Sequence, residues 1–222
     1  RHLLRMTSGV RWNEDYTSAT TDIALFSQAL AQRRAGAVLD LLRTRPREAI
    51  AGTRFNYSTA DTFVLGAIVT AATGMSLSGY LSAKIWSRLG ADADAYWMVE
   101  APDGQELAGG ALCATLRDYA RFGHFVMQDG VVGGQRVLPV GWRDIASRPD
   151  TAVTAAQGYG YQWWTLDGGA AFTGRGIYGQ FLYVHPQERV VSVVLSAWPQ
   201  ALDGAADAET VSLFSGTVDW LR

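Results

Sequence analysis

The chain has 222 residues, a formal net charge of -2, 48% hydrophobic and 18% charged residues, and a pI near 5.9. This balance excludes a disordered chain and gives no basic footprint for nucleic acid. No apolar run reaches the length of a membrane-spanning helix, and a single cysteine excludes an internal disulfide.

Taken in order, the periodicity predicts helices over 2–7, 21–34, 36–43, 58–73, 77–88, 115–128 and 139–147, with a short β segment at 95–99. Past about 157 the period shortens. Segments 158–166, 170–174, 180–185 and 190–196 read as strands, with turns at 167–169 and 186–188. Short connections imply antiparallel neighbours. The run Val190-Val191-Ser192-Val193-Val194-Leu195 reads as a central strand buried on both faces. Residues 199–206 read as a loop and 208–221 as a terminal helix. The organisation is therefore a mostly helical region over 1–150 followed by strands and a helix over 151–222.

The best-marked helix start is Phe55-Asn56-Tyr57-Ser58-Thr59-Ala60-Asp61. Ser58 with Asp61 makes a capping box, and Phe63, Val64, Leu65, Ile68 and Val69 follow as an apolar face closed by Gly74. A phenol at this point feels the positive end of the helix dipole, which favours phenolate and would suit a base. The alternative for Tyr57 is a ring packed on the first turn. Thr115 with Asp118 repeats the capping signature.

Cys113 lies among Ala111, Leu112 and Ala114 and reads as a small buried hydrophobe. His124 reads as a packed helix residue, and His185, before Pro186, as a turn residue at a strand end. Arg33-Arg34 and the arginines of 43–47 read as solvated helix faces. Three scattered histidines have no metal-ligand spacing, so neither a metal nor another cofactor is expected.

Four further runs carry a pattern together. They are His2-Leu3-Leu4-Arg5-Met6-Thr7-Ser8-Gly9 with Asn13-Glu14-Asp15-Tyr16, Gly109-Gly110-Ala111-Leu112 leading into Arg117-Asp118-Tyr119-Ala120, Gly133-Gly134-Gln135-Arg136, and Gly174-Arg175-Gly176-Ile177-Tyr178-Gly179-Gln180. In this order, and with the Tyr57 run, the chain resembles the serine hydrolases of the β-lactamase and penicillin-binding-protein fold. Within them it looks most like the esterase and 6-aminohexanoate-dimer hydrolase branch. The resemblance covers essentially all 222 residues.

The resemblance implies an α/β (α+β) fold, in which a helical region is inserted into an antiparallel sheet carrying helices on its faces. It implies hydrolysis of a small ester or amide through an acyl-enzyme. The family's nucleophile motif, Ser-x-x-Lys, is absent: Lys84 is the only lysine and Leu81 stands three residues before it. The chain is therefore expected to be a fragment whose nucleophile segment and further strands lie upstream, inactive and poorly covered by itself. A non-catalytic binding module of the same fold is the alternative.

By the same resemblance Tyr57 matches the tyrosine that shares proton transfer with that serine and lysine. Thr59 stands where the family has Asn or Ser. Gly174-Arg175-Gly176 matches Lys-Thr-Gly, with Gly174 at the lysine position. Gly176 permits close approach of substrate, and the Ile177 N–H would complete the oxyanion hole. Tyr16 matches a loop tyrosine that closes over substrate, against an exposed loop tyrosine. Trp164 matches a pocket-lining tryptophan, against ordinary sheet packing. The expected partner is a small-molecule substrate in a bacterial cytoplasm or periplasm, and the oligomeric state is open.

Overall fold

Four helices begin where a short polar side chain answers their free N–H groups. In the computed structural model, which describes residues 1–154 and 157–222, Thr21 Oγ1 caps α1 (Asp22–Ala31) through the Ala24 N–H. Ser58 Oγ caps α3 (Thr59–Thr73) through the Asp61 N–H at 3.2 Å. Thr115 caps α5 (Leu116–Met127), and Asp203 caps α7 (Gly204–Leu221) through Ala205 and Ala206.

The remaining helices take a carboxylate from far along the chain. Glu100 accepts from the N–H groups of Gly36 (2.7 Å) and Val38 at the start of α2 (Ala37–Arg43). Glu106 accepts from Leu77 and Ser78 at the start of α4 (Leu77–Lys84). Asp129 accepts from Gly141 and Arg143 at α6 (Trp142–Ala146). Each such cap contributes about 1 kcal/mol and ties a helix end to a distant segment. The amide donors at Glu106 and Asp129 outweigh burial and hold both carboxyls below their ordinary range.

The chain forms two compact units. The first is Arg1–Lys84 with Ala95–Cys113, and the second is Ile85–Asp94 with Ala114–Arg222. The first is built around Trp12, Ile23, Phe26, Val38, Ala60 and Phe63, where Phe26 meets Trp12 and Phe63 edge-on at 6.4 and 5.7 Å. A two-stranded pair, β1 (Tyr96–Trp97) and β2 (Leu112–Cys113), belongs to it. The change of secondary structure at 150 and the division into units are thus different features, because residues 114–150 pack with the strands that follow them.

The second unit holds a hairpin, β3 (Val131–Val132) with β4 (Gln135–Arg136), and a six-stranded antiparallel sheet. Its strands are β5 (Thr151–Ala152), β6 (Gly158–Tyr159), β7 (Trp164–Leu166), β8 (Ala171–Gly176), β9 (Gln180–His185) and β10 (Val190–Leu195), in the order β10-β9-β8-β7-β6-β5. On one face α5 brings Phe125, Val126 and Met127 against Phe172, Val184 and Val191. Gly123 permits this approach, since a Cβ there would lie 2.6 Å from Val191 Cγ1. On the other face α7 lays Phe214 and Val218 on Ala171, Phe181, Tyr183 and Val190, with the Tyr183 ring stacked on Phe214 at 4.8 Å.

Several expectations change. The strand over 158–166 is two strands, folded on each other at a turn where Gln162 has φ 64. Val190–Leu195 is covered on both faces but lies at the edge of the sheet among the described residues, not at its centre. The helix over 2–7 is a single 3-10 turn, Leu3–Arg5, ended by Met6 at φ 56. The terminal helix begins at Gly204, because Asp203 caps it. Cys113 and His124 are exposed: two-residue β2 turns the cysteine outward, and His124 lies on the solvent side of α5. Arg45 leaves the basic run to form a largely buried pair with Asp22. His185 ends β9, where its Nδ1 accepts the Glu188 N–H. Among the described residues no single helix is long and apolar enough to cross a membrane.

Candidate active site

In the first unit the site grows from the N-terminus of α3. Tyr57 precedes the Ser58 cap, and Thr59 opens the helix. Both polar groups of Thr59 go to one carboxylate: its N–H donates to Glu14 Oε2 at 3.0 Å and its hydroxyl to Glu14 Oε1. The Tyr16 hydroxyl donates to Glu14 Oε1 at 2.7 Å, and the Trp12 indole N–H donates to Oε2. Glu14 thus gathers four donors from three residues.

This changes the chemistry expected of Tyr57. Burial, and then the Glu14 charge, push its phenol up to about 12. The positive end of α3 is already answered by Glu14, so its field does not favour phenolate, and burial penalises the charged form further. At neutral pH the Tyr57 phenol is therefore protonated. Tyr16 is shifted upward even more strongly, by burial and by the Glu14 charge. Its ring packs on the Trp12–Phe63 core and its hydroxyl is held by Glu14, so the residue is anchored in this state rather than exposed on a loop.

One turn into α3 the capping box is only half made. Ser58 accepts the Asp61 N–H, but the Asp61 carboxylate turns to Ser8, whose hydroxyl and N–H both donate to it. Asp61 is 4% exposed, its Oδ2 has no partner, and burial raises its pKa to about 6 against the Ser8 bonds.

In the second unit the matching feature is the β8–β9 hairpin. Gly176 pairs with Gln180, and the loop between them runs through Tyr178 (φ 61) and Gly179 (φ 84). The turn is pinned from outside by the Tyr178 N–H on the Ala201 carbonyl and by the Trp198 N–H on the Tyr178 carbonyl. Gly179 is required there, since a Cβ would lie 2.4 Å from the Trp198 ring. The Ile177 N–H, at the end of β8, has no acceptor among the described residues, and the residue is 38% exposed. It is a free backbone donor on a fixed turn.

Arg175 and Trp164 lie on the α7-facing side of the same sheet. The Arg175 guanidinium binds both oxygens of Asp207 at 3.1 Å and stands over the rings of Trp164 and Phe181 at 5.8 and 5.7 Å. Trp164 also meets Tyr159 edge-on at 5.0 Å, which is the geometry of sheet packing. Gly174 leaves open space on the other side, with only the Trp163 ring near it. Among the described residues no three His, Cys, Asp or Glu side chains converge as a metal site.

Residues 1–214 match the Beta-lactamase family. The chain belongs to that family. It is 32% identical over 213 residues to the 6-aminohexanoate-dimer hydrolase of Paenarthrobacter ureafaciens, covering 89% of this chain and 54% of that protein. A solved Bacillus anthracis structure, described as a candidate 6-aminohexanoate-dimer hydrolase, superposes with a TM-score of 0.85 at 27% identity, over 99% of this chain and 60% of that one. A penicillin-binding protein from Bacillus halodurans, at 19% identity and a TM-score of 0.71 over 96% of this chain and 72% of that one, shares the fold. The chain thus spans about half the length of the curated relative.

Of the residues singled out in this Beta-lactamase family chain, Thr59 and Tyr16 come together on Glu14, with Tyr57 two residues before Thr59. Gly176 and Ile177 come together on the β8–β9 hairpin. Trp164 joins Arg175 on the α7 side. Glu14 itself was quoted in the Asn13-Glu14-Asp15-Tyr16 run but given no role. Its partner lies 45 residues away, and the signal available was an acidic residue matched to an N-terminus that needs one.

Proposed function

We propose that this chain is the acid–base and oxyanion part of a serine hydrolase that cleaves a small ester or amide through an acyl-enzyme. In this reading a serine nucleophile and its lysine come from chain outside the 222 residues, which contain no Ser-x-x-Lys. In acylation the lysine takes the serine proton as the serine oxygen attacks the carbonyl. Tyr57 gives its own proton to the leaving group and regains one from the lysine, and the Ile177 N–H holds the oxyanion. Water then releases the acyl group, losing its proton to the lysine while the serine regains one through Tyr57. Thr59, Tyr16 and Gly176 face the substrate, and Trp164 supports the sheet behind Arg175. The likeness to the Paenarthrobacter enzyme supports a short amide or ester as substrate.

The observation that carries the reading is the placing of Tyr57 immediately before the capped start of α3, two residues from Thr59, which Glu14 holds together with Tyr16. The test is hydrolysis of a p-nitrophenyl ester by residues 1–222 alone and by the same chain joined to a Ser-x-x-Lys segment encoded upstream. We expect no turnover from the first and clear turnover from the second. Tyr57→Phe should then reduce it by about two to four orders of magnitude, the loss typical of an acid–base group. Turnover by residues 1–222 that survives Tyr57→Phe would sink the mechanism. A natural start codon near Arg1, with no Ser-x-x-Lys after it, would leave a binding module of this fold.

A further inference from the structure

We infer that the groove between α5 and the β3–β4 hairpin is a binding site for a small carboxylate with an apolar body. The proposed reaction makes no use of this groove. The class matches the acid that such a hydrolysis releases, but the site stands whether or not that reaction does.

The groove lies within the second unit, and its cavity of about 560 Å³ falls in the range of small-molecule sites. Its floor is apolar: Leu89 and Phe125 are buried, and Val131 and Val132 of β3 are half-buried. One wall is α5, where Arg117, Arg121, His124 and Gln128 recur at steps of four, three and four residues and so share one face. The rim is completed by Gly133-Gly134, the turn of the hairpin. A Cβ at either glycine would meet nothing within 4 Å, so this side of the groove stands open.

The charge here is one-sided. No carboxylate lines the groove. Arg121 is already answered, by Asp118 at 2.7 Å and Asp92 at 2.8 Å. The side chains of Arg117, His124 and Gln128 are exposed and make no hydrogen bond or ion pair among the described residues. Arg117 therefore presents an uncompensated guanidinium at one end of a row that α5 carries for roughly 16 Å. A carboxylate matches the planar fork of that guanidinium. An apolar body behind it covers Phe125, Val131 and Val132, while His124 and Gln128 offer hydrogen bonds farther along. A cation is repelled by Arg117, and a wholly polar anion leaves the floor wet. Those two exclusions set the class of ligand.

The test reads binding and needs no hydrolysis, so its failure and that of the proposed reaction are distinguishable. Hexanoate is titrated at neutral pH into the isotope-labelled chain and the backbone amide resonances are followed. Hexanamide serves as the neutral isostere and acetate as the anion without the apolar body. Hexanoate should give saturable shifts centred on residues 117–134, and hexanamide and acetate should each bind at least about threefold more weakly. Arg117→Gln, on an exposed side chain, should weaken hexanoate by a similar factor and remove its advantage over hexanamide. Ala120→Glu sets a like charge in the wall and should abolish saturation; should that variant not fold, Arg117→Gln alone decides. No saturation at about 10 mM hexanoate, equal binding of hexanamide, shifts centred outside 117–134, or hexanoate binding unchanged in Arg117→Gln would each overturn the inference.

Discussion

The candidate features of the two units, taken each by itself, are held by opposite means. Around Tyr57 the geometry is made by side chains: one carboxylate draws Trp12, Tyr16 and Thr59 together across 45 residues. At the β8–β9 hairpin it is made by backbone: a glycine at positive φ, two turn hydrogen bonds and a strand register present the Ile177 N–H. The first thus depends on one side chain, the Glu14 carboxylate, and the second on the backbone shape at Gly179.

The sharpest way to break the backbone half is Gly179→Ala. A Cβ there would meet Trp198 at 2.4 Å, on a residue whose φ is +84. Overpacking and the left-handed conformation together should cost about 3 kcal/mol. Gly74→Ala has a similar φ but nothing within 4 Å, and should cost only about 1–2 kcal/mol. Equal losses in urea unfolding would show that Trp198 moves aside and that the hairpin is not fixed by this contact.

The side-chain half can be stressed through Asp61, one turn below Tyr57. Its folded pKa is near 6 against an ordinary 3.8, so the folded chain holds that proton more tightly than the unfolded one. The stability this provides is fully present below pH 3.8 and is lost as pH rises through 6. A shift of this size corresponds to roughly 3 kcal/mol. Asp61→Asn should therefore stabilise the chain at pH 8 by up to about that amount and leave it unchanged near pH 4. A stability difference that does not vary with pH would contradict the buried, poorly satisfied carboxylate.

The smallest effect expected concerns selectivity. If, as the resemblance implies, Gly174 takes the place of the family's lysine, which would meet a β-lactam carboxylate, Arg175 cannot replace that lysine while bound to Asp207 and held over the rings of Trp164 and Phe181. Loss of one charge-assisted contact is worth about 1.5–3 kcal/mol, so kcat/KM for a chromogenic cephalosporin should trail a short ester by roughly 10- to 100-fold. A preference for the cephalosporin would mean that Arg175 leaves Asp207 in the working enzyme.

Much of this was legible in the sequence because it is local. Ser58 and Thr115 announce their helices, and 180–185 and 190–195 emerge as strands because β-branched and aromatic residues run between turn residues. The order of short motifs sufficed for the family. What stayed hidden was set by partners far along the chain. The edge position of Val190–Leu195 depends on which strands pair, while its composition reports only that both faces are covered. The turn inside 158–166 requires positive φ at Gln162, a residue that does not advertise it. Gly133-Gly134 between Val131–Val132 and Gln135–Arg136 is a hairpin signal of the usual kind, read only as part of a motif. The capping roles of Glu100, Glu106 and Asp129, like that of Glu14, follow from proximity that spacing cannot reveal.

The division of labour between side chain and backbone is tested most directly by comparing Tyr57→Phe with Ile177→Ala in the chain joined to its Ser-x-x-Lys segment, using kcat/KM for one p-nitrophenyl ester. The account predicts a loss of about two orders of magnitude or more for Tyr57→Phe, whose hydroxyl does the work. It predicts a change of no more than about threefold for Ile177→Ala, which keeps the backbone N–H. A large loss for Ile177→Ala together with near wild-type activity for Tyr57→Phe would contradict it.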